Sequence, residues 1–185
     1  MTPRQTAVAA GVGLAFGIQA AIAIGEPSYL DPVTLLDWLA VLTTSLAFAS
    51  LVPGTWLLMG MSAGPDRPGP NRWVTTSGAL VIAGAALASV GNLLGVVLDF
   101  GLGGLLYVVG ELALTLGLVA LAAALAFTPR RWLGLLALAT VFGLLVEQLG
   151  GLFLVALAWL AFANLASRGP WAPPGPDQPP GTADG

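Results

Sequence analysis

An all-α, polytopic membrane helical bundle is the fold class this sequence predicts, and three observations predict it. Of 185 residues, 57% are apolar and only 8% charged, where a soluble domain has roughly a quarter charged. The apolar residues gather into runs long enough to cross a bilayer. The cations, all of them Arg, fall before the first run, between alternate runs and after the last.

A crossing needs about 20 mostly apolar residues, because ~1.5 Å of rise per residue must cover ~30 Å of hydrocarbon. Runs of this kind lie at Ala7–Gly25, Leu35–Met61, Val74–Leu98 and Gly104–Phe127, followed by an apolar block from Trp132 to Ala166. As one helix that block would reach roughly 52 Å and overshoot the bilayer. Glu147-Gln148 and Gly150-Gly151 near its middle suit a reversal. The block therefore divides into Trp132–Val146 and Leu149–Ala166, a hairpin of two short helices, giving six spans. One tilted helix or a re-entrant pair over 132–166 would give five.

The arginines orient the bundle. With the N-terminus and Arg4 cytoplasmic, the inward-facing connections carry Arg67 and Arg72, then Arg130 and Arg131, and finally Arg168. The outward connections, Glu26–Thr34, Asp99–Gly103 and the Glu147 turn, carry none. This is the positive-inside pattern of a multi-pass protein of the cell membrane with both termini cytoplasmic. Five spans would put Arg168 outside. Trp73 and Trp132 mark the inner interface, and Trp38, Tyr29 and Tyr107 the outer one. Ala21-Ile22-Ala23 also fits a small-residue cleavage site, but the basic region before it is weak and the run is long enough to span. The bundle is expected to occupy 1–168. The Pro- and Gly-rich tail 169–185 is expected to be extended and disordered.

Absent residue types exclude much chemistry. Without Cys or His the chain has no His/Cys metal site, no axial His or Cys for haem, no Ser-His or Cys-His nucleophile and no disulfide. Without Lys it forms no Schiff base, which excludes a retinal protein. No phosphate loop, dinucleotide fingerprint or metal-spaced acid cluster is present, and no basic patch suits nucleic acid. Gly91-Asn92-Leu93-Leu94 followed by Val97-Leu98-Asp99-Phe100 resembles the stretch around a catalytic Asp in lipoprotein signal peptidases, and Phe162-Ala163-Asn164 resembles their second motif. Leu94-Gly95 stands where that family has Asp-Arg, and Ala166-Ser167 lacks its second Asp, so the activity does not carry over. The expectation is a protein that is not an enzyme and takes no cofactor and no metal.

Small residues recur at close-packing intervals: Gly13/Gly17, Gly60/Gly64 and Gly91/Gly95 all have GxxxG spacing. In lipid, helices associate by close backbone approach at such positions rather than by burying apolar surface. Pro53-Gly54 interrupts the second span and frees a carbonyl one turn earlier.

The acids are the unusual positions. Glu26, Asp31, Asp37, Asp99, Glu111 and Glu147 lie outside or in the outer half of the membrane, with every Arg on the other face. Glu111 stands about 10 Å below the start of its run. A bare charge at that depth costs at least a few kcal/mol. The carboxyl is then protonated, hydrated, or holding a cation. Tyr107, Glu111 and Thr115 share one helical face, as do Ser89, Asn92 and Asp99, and as do Asp37 and Thr44. Glu111, Asp37, Asn92, Asp99 and Glu147 are therefore the candidate proton or ion site.

Two functions follow. The first is an accessory or scaffold membrane subunit whose partners are the lipid bilayer and either further copies of itself or another membrane protein. The second is a transporter or channel for protons, small cations or a small apolar solute, entered through an outward-facing acidic vestibule.

Overall fold

The computed structural model describes residues 2–28, 32–63, 71–97, 101–128 and 130–168. Their regular structure is entirely helical: α1 (Pro3–Ala23), α2 (Leu35–Ser62), α3 (Arg72–Val97), α4 (Gly101–Ala126), α5 (Trp132–Leu145) and α6 (Gly151–Arg168), with one 3-10 turn at Glu147–Leu149. α1 to α4 are each long and apolar enough to cross a membrane, while α5 and α6 are shorter apolar helices. Asp31, Arg67, Asp99, Tyr29 and the tail 169–185 lie outside the described residues.

Local chemistry starts the helices. Pro3 opens α1 behind Thr2, whose hydroxyl accepts from the Gln5 amide while Gln5 reaches back to the Thr2 N–H. Thr34 and Asp37 form the same reciprocal box at the start of α2. α2 then runs unbroken through Pro53. Because Pro53 has no amide hydrogen, the Ala49 carbonyl loses its helical donor.

The block 132–166 is two helices. Gly150 adopts φ 83°, a left-handed conformation that a residue with a Cβ enters at a cost. The Gly150 and Gly151 amides donate to the Glu147 and Val146 carbonyls at 3.0 Å, and this closes the turn. A Cβ on Gly143 would stand 2.6 Å from the Gly151 carbonyl oxygen, so the two helices leave the turn nearly in backbone contact.

Each helix packs against its neighbours in sequence, and α1 closes the ring against α6. Consecutive helices run antiparallel. Gly13 of α1 meets Ala156 and Leu160 of α6, and Ser45 of α2 meets Ser89 of α3. The centre is filled: Trp159 of α6 is 2% exposed and lies against Gly54 of α2. Its indole N–H donates to Thr140 Oγ1 of α5 at 3.1 Å. Outward faces are equally apolar, with Leu46 57%, Leu112 60%, Leu135 67% and Leu157 65% exposed.

The tightest pair is α3 with α4. Gly84, Ala88, Gly91 and Gly95 on one helix face Leu114, Gly110, Tyr107 and Gly103 on the other, in regular antiparallel register. A Cβ on Gly84, Gly91, Gly103 or Gly110 would overlap the opposing backbone. Gly91, Gly95 and Gly13 thus make the close approaches that their spacing predicts, Gly17 is only in ordinary contact with Ala156, and Gly64 lies outside the described residues. Gly60 makes no such approach; it is exposed, with open space beside it.

Candidate functional site

Many polar side chains inside the helices bond back to their own helix, as Ser50, Ser62 and Ser77 do, but a group of them joins one helix to the next. Asn92 of α3 donates from Nδ2 to the Val41 carbonyl and to Ser45 Oγ of α2, both at 2.9 Å. Ser89, one turn earlier, donates to the Ser45 carbonyl at 2.9 Å. Ser45 Oγ completes the knot by donating to Val41 O at 3.1 Å. Between α1 and α2, the Thr43 hydroxyl donates to Oε1 of the buried Gln19. Each contact spares a polar group from apolar surroundings, which is where unmatched hydrogen-bonding groups cost most.

Asp37 turns back onto the chain that leads into its own helix. Its carboxylate accepts from the Ser28 and Thr34 amides at 2.7 Å and from the Val33 amide at 3.1 Å, and also from the Thr34 hydroxyl at 2.8 Å. Four donors converge on one buried carboxylate, which pins the α1–α2 connection to the first turn of α2. A negative charge there also complements the positive end of the α2 dipole.

Glu111 is half-buried on α4, and its Oε1 accepts from the Tyr107 hydroxyl at 2.6 Å, one turn away on the same helix. Tyr107 is itself turned inward, its ring edge-on to Phe48 of α2 with centroids 6.1 Å apart. Its ring is thus partly taken up in packing between α4 and α2. Thr44, one turn before Phe48 on α2, has a buried Oγ1 without a hydrogen-bond partner among the described residues. Glu147 is exposed in the turn between α5 and α6.

The candidate positions are therefore spread over separate tasks. Asn92 lies between α3 and α2, Asp37 at the start of α2, Glu111 along α4 and Glu147 at a turn. Asp99 lies outside the described residues. Among the described residues no three acidic side chains converge as a metal site would require.

Charge is nevertheless segregated along the bundle. Arg4, Arg72, Arg130 and Arg131 sit at one end, while Glu26, Asp37 and Glu147 sit at the other. Arg130 also has a structural task, since its Nη1 donates to the Met61 carbonyl at 2.7 Å in the last turn of α2. A cation at that point meets the negative end of the helix dipole.

Sequence reasoning passes over Gln19, Ser45, Thr140 and Trp159, all buried and bonded between helices. Gln19 is the most legible of these, as the lone side-chain amide in its apolar run. The glycines of α4 also carry a signal: Gly103, Gly110 and Gly117 repeat every seven residues and lie on the face turned to α3. Comparison with protein-family models, characterised proteins and solved structures gives no match.

Proposed function

We propose that this chain is a six-crossing integral protein of the cell membrane with both termini cytoplasmic, acting without catalysis as an accessory or scaffold subunit. The hydrogen bonding of Asn92, Ser89, Ser45 and Asp37 carries this reading. These are the groups that would line an aqueous path, and they are engaged in joining α2 to α3 and in fixing the start of α2. The exposed leucines on every side support burial in lipid, for a surface of that kind in water would drive aggregation. The segregation of Arg to one end supports the orientation.

The partners under this reading are the lipid bilayer and a second membrane protein, or further copies of this chain. Purification of the tagged chain at native expression level in a mild detergent tests the role. A membrane protein recovered at a fixed ratio, or a defined homo-oligomer, is the expected result. Monomeric chain at all detergent concentrations contradicts a scaffold role.

Glu111 favours a second reading, a proton or small-cation pathway from the acidic end. It is a half-buried carboxylate on an apolar helix, hydrogen-bonded to Tyr107. Thermal melts of wild type and Glu111→Gln, with and without Na⁺ or K⁺ at several pH values, separate the two. The scaffold reading expects the same melting temperature with and without ions. Ion-dependent stabilisation that Glu111→Gln abolishes would establish the pathway instead.

A further inference from the structure

The geometry points to a binding site for an anionic phospholipid in the cleft between α1 and α2, and this inference rests on the proposed membrane insertion. The cleft has a volume of about 350 Å³ and is lined by Val8, Gly11 and Ile18 of α1 with Leu46, Ser50 and Pro53 of α2. The only polar side chain among these is Ser50, and its hydroxyl is already donated to the Ala47 carbonyl at 2.7 Å. The lining is thus suited to hydrocarbon.

Two heptad-spaced rows run along the cleft, lining it at Gly11, Ile18, Leu46 and Pro53 and continuing past its end to Arg4 and Gly60. On α1 the row is Arg4, Gly11, Ile18; on α2, running the other way, it is Leu46, Pro53, Gly60. All six are exposed. Gly11, in the lining, has open space where a side chain would stand, so the cleft is in part a gap left by a missing side chain; Gly60, beyond its end, is open too. The interior side of the same pair is closed, with Gly54 pressed against Val12 and Trp159.

Charge selects the occupant. Arg4 is exposed one turn before Val8, which lines the cleft, and helical phase puts the two on one face of α1, so the charge of Arg4 lies just beyond the end of an apolar slot. Gly60 leaves the opposite side of that end open. An acyl chain along Gly11 and Pro53 brings its phosphate to the level of Arg4, where a fork of N–H donors matches phosphate oxygens. The proposed cytoplasmic placement of that end puts it in the leaflet richest in anionic lipid.

The experiment uses the full chain, delipidated in detergent, and compares phosphatidylglycerol with phosphatidylcholine of identical acyl chains by native mass spectrometry. Wild type is expected to retain phosphatidylglycerol roughly fivefold better, which is about the 1 kcal/mol that one basic residue contributes at an anionic surface. Arg4→Gln should abolish the preference, and Arg4→Lys should keep most of it. Gly11→Leu should fill the slot and reduce retention of both lipids, leaving the lipid-free melting temperature unchanged because that position is open.

Equal retention of the two lipids by wild type overturns the proposal, as does unaltered binding in Gly11→Leu. Loss of a dimer in Gly11→Leu would assign the cleft to a second copy and overturns it too. Release of the chain from membranes by alkaline carbonate would instead remove the membrane reading beneath it.

Discussion

Asp37 and Asn92 have similar standing as polar residues near the ends of apolar runs, yet their environments give them different work. Asp37 collects three backbone amides and a hydroxyl at a helix start. Asp37→Ala should lower stability by about 1–2 kcal/mol, the upper range for a lost helix-capping interaction. Asp37→Asn should recover part of that loss, because one amide oxygen still accepts. Asn92→Ala removes both donations to α2. It should cost about 0.6 kcal/mol, and at most about 1.7, the mean and maximum for interhelical hydrogen bonds in a membrane protein. Reversible unfolding in mixed detergent micelles measures all three variants. That Asp37, Asn92 and Glu111 are special was legible in the sequence, because polar groups in apolar runs must find partners. Which partner each finds was not legible. Helical phase places Ser89 and Asn92 on one face, but only the packing of α3 on α2 shows that the face meets Ser45.

At the scale of elements, the long runs show their helices through length and hydropathy alone. The hairpin at 147–151 was legible for a physical reason, since a mostly apolar block of 35 residues in one helix exceeds the bilayer and a Gly pair permits reversal. The structure adds why both glycines are required: Gly150 is left-handed, and Gly151 lies against the backbone of Gly143. Neighbour identity was harder to read. GxxxG spacing marks Gly13/Gly17, Gly60/Gly64 and Gly91/Gly95 alike, and only the fold distinguishes packed Gly91 from bare Gly60. The α3–α4 contact yields a paired prediction. Gly110→Leu drives a side chain into the backbone at Ala88, whereas Gly104→Leu projects into open space. The first should destabilise by about 1–3 kcal/mol or more, and the second should be near neutral in the same unfolding assay. Equal effects would mean that α3 and α4 do not pack through the Gly110 face.

The whole molecule is a closed ring of antiparallel helices, with its centre filled by Trp159 and its neighbours and charge parted between the two ends. The absence of Cys from the chain makes single-cysteine mapping clean. Such mapping tests most directly the claim that interior polar groups hold the bundle together and do not line a path. The positions are Ser45, Ser89, Asn92 and Glu111, with Glu26 and Glu147 as exposed references at the acidic end. A membrane-impermeant thiol reagent applied from outside intact cells should label Glu26→Cys and Glu147→Cys rapidly and leave the four interior cysteines unlabelled. Labelling of Asn92→Cys and Glu111→Cys at the rate of Glu26→Cys would reveal water among the helices and contradict the account.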